Sequence, residues 1–191
     1  MRTLNRRLLG GALGSLLALG GLAAVPAAAH TAATTARGTS ARLCYGGHPI
    51  ANNFIYRRWK DLGGSGGYLG CPTGDNRRLS NGAERQSFQN GQLAWSPDQG
   101  HRMVVAAFEY NGRAYFNWGP TDPFHYDRFL VRWTSAADPY GTQRELTGGN
   151  SGWKSVVKET SGAYTFTVEG CDLGSFGHTC RQGWTVPVTT D

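Results

Sequence analysis

The chain is 191 residues long, 17% charged and 39% hydrophobic, with 19 Lys/Arg against 13 Asp/Glu and a formal charge of +6. That length holds one ordinary domain or two small ones and no larger architecture. The positive balance comes with no recognised nucleic-acid fold, which argues against nucleic acid as a partner.

Residues 1–29 read as an address rather than as fold. Arg2, Arg6 and Arg7 form a basic start, Leu8 to Val25 is apolar and rich in Leu, Ala and Gly, and Ala27-Ala28-Ala29 offers a small-residue cleavage site. This is the layout of a secretory signal peptide. The stretch is glycine-rich and no stop-transfer charges follow it, which argues against a transmembrane anchor. No Cys follows at a lipobox position, and Arg6-Arg7 leaves twin-arginine export open beside the general route. Residues 30–42 (HTAATTARGTSAR) lack apolar periodicity and read as a flexible leader. The expected product is extracellular or cell-wall associated.

Loss of the three leader arginines lowers the charge to +3, and what remains is uneven. From Arg37 to Arg102 there are nine Lys/Arg against four Asp/Glu, and from Met103 to Asp191 seven against nine. The shift divides the chain into a basic module over residues 43–102 and a second over 103–191. A basic face favours anionic wall polymers or membrane surfaces, although charge runs are commonly just solvated surface.

In the first module, Ile50, Phe54, Ile55, Trp59 and Leu62 recur at helical spacing and predict a helix over His48–Leu62, with Pro49 in its first turn. Gly63-Gly64 stops it, and the Gly- and Pro-dense run to Gly74 demands tight turns around Tyr68-Leu69-Gly70. Gln86 to Trp95 alternates as a hairpin, with Asn90-Gly91 as its two-residue turn and Ser96-Pro97 as its end.

From Val104 the pattern changes to strands: Val104–Tyr110, Ala114–Trp118, Arg128–Thr134, Gln143–Leu146, Trp153–Lys158, Ala163–Gly170 and Gly183–Val188. Clusters such as Gly119-Pro120, Asp138-Pro139 and Gly148-Gly149-Asn150 separate them. Seven short strands at this spacing predict a β-sandwich, so the chain as a whole is expected to be mostly β, with a small irregular α+β module ahead of the sandwich.

Four cysteines in an exported chain predict two disulfides, for which three pairings exist. Cys44 and Cys71 share the first module and Cys171 and Cys180 the second, so the local pairs are expected. Each would staple a small module by roughly 2–4 kcal/mol. There is no C-x-x-C, and the five histidines are scattered without ligand spacing, so no metal and no cofactor is expected. Catalytic signals are weak. Ser151 in GGNSGW lacks a nucleophile elbow and a supporting His, and Asp122 and Asp127 flank His125 only as neighbours in a strand connection.

Several motifs of the first module, taken together, resemble an LGFP repeat, a unit of secreted, wall-associated proteins. Ile55 and Trp59 match the family's I-x-x-x-W helix, and Leu62-Gly63-Gly64 its L-G-G step. The L-G-F/x-P-T signature is Leu69, Gly70, Cys71, Pro72 and Thr73, with Cys where the family has Phe; this substitution hints at a bond to Cys44. The downstream glycine, F-x-x-G-x-x-x-W and S-P match Gly82, Phe88, Gly91, Trp95, Ser96 and Pro97. One clear unit is present where the family runs in tandem, and a lone repeat does not ordinarily bury its own apolar face.

The second module resembles a fibronectin type III-like domain. Trp118 stands where that family has its core Trp, Phe129–Trp133 reads as its third strand, and Tyr164 holds its tyrosine-corner position. Gly183–Val188 fits the last strand.

The first resemblance implies attachment to a cell-wall polysaccharide or other envelope polymer, without turnover. Sugars are held by aromatic faces flanked by polar groups, which singles out Tyr68, Trp95 and Trp59 as platforms and Arg57, Arg58 and Asp75 as polar neighbours. Trp59 and Trp95 also lie where core residues are expected. Two alternatives remain. One is an accessory or inhibitor protein that binds another exported protein through sandwich loops such as LGSFGHT (173–179). The other is a hydrolase of cell-wall polymers.

Overall fold

The computed structural model describes Cys44 and residues 47–175, 177–180 and 182–191. The expected signal peptide and leader lie outside them. The one α-helix among the described residues is α1 (Asn53–Asp61). It is shorter than the expected His48–Leu62 span because Asn52 caps it: the Asn52 Oδ1 accepts from Phe54 N at 2.9 Å and Ile55 N at 3.1 Å. Pro49 therefore lies outside the helix, where its carbonyl accepts from the Gln86 side chain at 3.2 Å. Leu62 is the C-cap, and Gly63 follows in the left-handed conformation with φ 98°.

Eleven strands follow: β1 (Arg77–Arg78), β2 (Glu84–Phe88), β3 (Gly91–Trp95), β4 (Val104–Tyr110), β5 (Arg113–Gly119), β6 (Tyr126–Thr134), β7 (Thr142–Gly149), β8 (Gly152–Val157), β9 (Thr165–Gly174), β10 (Gly177–Thr179) and β11 (Val188–Thr189). They form two antiparallel sheets, one in the order β1-β2-β3-β4-β5-β8 and the other in the order β10-β9-β6-β7, with β11 on β9. The result is the expected mostly β architecture, a β-sandwich.

The β2–β3 turn is Gln89-Asn90, one residue earlier than expected, because Phe88 pairs with Gly91. A Cβ on Gly91 would run into the carbonyl of Ala107 on β4, so the close approach of the two strands requires glycine. The expected strand over Gly183–Val188 shrinks to β11. Pro187 has no N–H to give to a ladder, and only Thr185 bonds across to Val168 ahead of it. The stretch 173–179, expected as a loop, is mostly the β9–β10 hairpin, aligned by the Cys171–Cys180 bridge beside it.

Strand β4 explains how the chain is assembled. Its burial is continuous from Val104 to Phe108 because both of its faces are covered. Val105 and Ala107 face the second sheet, joining Phe116, Trp118, Phe129, Val131, Phe166 and Val168 in the main core. Phe116 and Phe166 stack across the sandwich at 4.1 Å. Val104, Ala106 and Phe108 face the other way, into a second core with Ile55, Leu69, Phe88 and Leu93 beneath α1. Burial of a side chain such as Ile55, wholly excluded from solvent, contributes about 1.5–3 kcal/mol. A helix, a sheet and a second sheet thus stack as three layers.

The sheet crosses the boundary expected at residues 102/103, because β3 pairs with β4 from Trp95–Val104 to Gln92–Ala107. Polar side chains reinforce the join. Gln99, buried at 1% exposure, accepts from Gly170 N at 3.0 Å and donates to the Gly183 carbonyl, and its own carbonyl accepts from the Tyr126 hydroxyl at 3.2 Å. Ser96 Oγ accepts from Val186 N at 3.1 Å, and Gln92 Oε1 from Thr189 N at 3.2 Å. Ala83 and Ala94 of the first module also enter the main core, with Leu79 packed against it. Both expected disulfides are present, Cys44–Cys71 and Cys171–Cys180.

Candidate functional site

Helix α1 covers the outer face of the first sheet over β3 and β4 and leaves the outer faces of β5 and β8 open. Alternation along β5 puts Ala114, Phe116 and Trp118 in the core, so Tyr115 and Asn117 point outward. Register brings Tyr115 beside Phe108, with their rings stacked at 5.4 Å, and Asn117 beside Trp153. Tyr68, arriving from the glycine-rich turn, stacks on Phe108 at 5.0 Å and meets Tyr110 edge-on at 5.2 Å. The result is a hollow of about 240 Å³ lined by Leu62, Tyr68, Tyr110, Tyr115, Asn117 and Trp153. Three of its rings stand open to solvent: Tyr68 at 46%, Tyr110 at 44% and Trp153 at 66%.

A second, smaller hollow of about 40 Å³ follows on the same face, lined by Phe54, Arg57, Arg58, Asp61, Arg102 and Gly119. From Tyr115 to Gly119 the strand advances about 13 Å. The two hollows are separate but both border α1 on this groove-like face, Leu62 lining the aromatic one and Phe54, Arg57, Arg58 and Asp61 the cationic one. Two buried polar atoms of residues that line them lack a hydrogen-bond partner among the described residues: Arg58 Nε and Asn117 Oδ1. Burial pushes the Arg58 guanidinium below its usual range, and the Asp61 charge partly opposes this. Arg102 has only a long contact to Asp122, at 3.9 Å.

Of the residues singled out from the sequence, Tyr68 lines the aromatic hollow, and Arg57 and Arg58 line the cationic one. Trp59 lines neither and packs over Gly64, with its indole N–H donated to the Gly70 carbonyl at 2.8 Å. Trp95 stacks on Phe54 at 5.4 Å and donates to the His101 carbonyl at 2.9 Å. Asp75 stands elsewhere, 2.8 Å from His48 Nδ1, in a polar basin with Asn76, Arg77 and Arg85. Tyr110, Tyr115 and Trp153 escaped the sequence reading. For Tyr115 the period-two alternation of β5 was the local signal, and it does not tell which face stays uncovered.

The weak catalytic signals are dispersed. Asp122 faces Arg102, Asp127 accepts from Leu173 N at 2.8 Å, and the Ser151 hydroxyl donates to Asn150 Oδ1 at 3.4 Å. Glu169 lies beside Cys171 and Cys180, whose sulfurs are bonded to each other and so carry no thiolate, and burial pushes its carboxyl above the usual range.

The molecule is thus a small, disulfide-bonded β-sandwich with a helix-walled aromatic groove. Its disulfides point to an extracellular protein, and among the described residues no helix is long and apolar enough to cross a membrane. Residues 69–116 match the LGFP repeat family, from the Leu69 signature through Phe116 on β5. The matched span starts after α1 and runs past the expected end of the unit, taking in β4 and part of β5. LGFP repeats are associated with cell-wall or surface proteins. No curated protein and no solved structure matches the chain.

Proposed function

We propose that this protein is a secreted envelope-binding protein that attaches to a cell-wall glycan, without turnover, through the groove between α1 and β8. The observation that carries this reading is the cluster of open rings at Tyr68, Tyr110 and Trp153 around Tyr115. Exposed aromatic faces beside polar groups suit the C–H faces and hydroxyls of sugars, and rings already stacked on one another lose little freedom on binding. The LGFP match favours the envelope as the location of that glycan.

The sandwich then serves as the scaffold, and a fibronectin type III-like origin is supported by two features. Strands β4-β5-β8 face β11-β9-β6-β7, a three-on-four arrangement with Greek-key connections. The buried Tyr164 hydroxyl also accepts from the Glu159 N–H at 2.8 Å, tying a corner five residues upstream.

The test is retention on purified wall polysaccharide. Wild type is retained, and the double variant Tyr110→Ala, Trp153→Ala, at two open rings, washes through with its thermal midpoint little changed. Equal retention of the two proteins refutes the proposal.

A further inference from the structure

Resting on that reading, the geometry points to an acidic saccharide as the ligand, with its sugar ring on the Tyr115–Trp153 end of the groove and its anionic group at Arg58. The two buried atoms without partners define what the ligand must bring. Asn117 Oδ1, buried at the wall of the aromatic hollow beside Trp153, is an acceptor and calls for a hydroxyl donor. Arg58 Nε is a donor and calls for an acceptor.

Charge decides which acceptor. A guanidinium withdrawn from water without a full set of partners is costly, and a carboxylate or phosphate oxygen offsets that cost more fully than a neutral oxygen. Arg57 and Arg102 line the same hollow, so three cations stand there against Asp61 on its wall and Asp122 beside Arg102. The hollow of about 40 Å³ admits a small polar group and not a second sugar ring. The surplus of nine Lys/Arg over four Asp/Glu from Arg37 to Arg102 adds a longer-range pull on a polyanion. A uronate carboxylate and a sugar phosphodiester share this chemistry.

The experiment is calorimetric titration of the disulfide-bonded protein with three probes: an oligogalacturonate, the same oligomer after reduction of its carboxyl groups, and a phosphodiester-linked oligosaccharide of similar length. An acidic probe should bind at least about tenfold tighter than the reduced one at low salt, with the advantage shrinking as salt rises. Arg58→Gln should remove that advantage. Arg102→Gln, at an exposed position, should cut the advantage without altering the thermal midpoint, so a poorly folding Arg58 variant does not stall the test. Tighter binding of the phosphodiester probe than of the uronate identifies the anion as phosphate, and the reverse identifies carboxylate. Equal binding of acidic and reduced probes overturns the inference and leaves glycan attachment standing. An acid preference that survives in both arginine variants also overturns it. Failure of all three probes together with loss of retention on wall polysaccharide removes both readings.

Discussion

The indole N–H of Trp59 donates to the Gly70 carbonyl at 2.8 Å, joining α1 to the second residue of the Leu69–Thr73 signature. This bond fixes where the glycine-rich turn lies on the helix, and through it where Tyr68 stands. Trp59→Phe keeps most of the ring and loses the bond. We expect a stability loss of about 1 kcal/mol, read by urea denaturation. Retention on wall polysaccharide should fall only if Tyr68 is displaced. A variant as stable as wild type would show that the bond contributes nothing net.

Trp118 and Gly152 pair across β5 and β8, and the Trp118 ring occupies the space a Cβ at residue 152 would need. Gly170 stands in the same relation to the ring of Tyr126. Gly152→Ala and Gly170→Ala should therefore each destabilise by about 1–3 kcal/mol through overpacking. Gly74→Ala, where a Cβ would meet nothing within 4 Å, is the control and should change little. Chemical denaturation of the three variants checks the ranking.

The two disulfides predict that intact mass rises by four hydrogens on reduction. Cys171→Ser with Cys180→Ser should lower stability by about 2–4 kcal/mol and loosen the β9–β10 hairpin. Hydrogen exchange at Leu173 and Thr179 reads the loosening. A smaller mass change refutes the pairing.

Glu169 gives the protein a pH dependence. Its folded-state carboxyl is raised above the ordinary value of 4.5 by burial. Its contribution is therefore fully present below that value and is lost as pH rises through the raised one. Glu169→Gln removes the titration, so the variant should gain on wild type as pH climbs from the ordinary value towards neutrality. Denaturation midpoints measured across that window check the sign. A constant difference between the two proteins contradicts the assignment.

Much of the fold was legible because its signals are local. Runs rich in β-branched and aromatic residues between turn clusters marked six of the seven strands expected after Val104, and the helical stripe marked α1. The ends of elements were less legible. Asn52, not Pro49, starts the helix, because a side-chain cap and the reach of Gln86 to Pro49 decide the first turn. Pro187 cuts the last strand short for want of an N–H. Trp59 and Trp95 read as platforms because aromatic residues beside turns do so in sequence. Each finds a carbonyl for its indole N–H and a packing partner only when distant segments fold back on it.

By itself, the sequence determined the β-rich class and the LGxPT-type signature, and it made two local cysteine pairs the expected choice. These follow from periodicity, turn chemistry and compartment, all of which act between near neighbours in the chain. Only the tertiary structure decided that β3 and β4 would join the repeat to the sandwich in one sheet, and that α1 would cover β3 and β4 but not β5 and β8. That choice rests on non-local register and on how far a nine-residue helix reaches. It leaves Tyr110 and Trp153 open, with Asn117 beside Trp153 and Arg58 in the cationic hollow along α1.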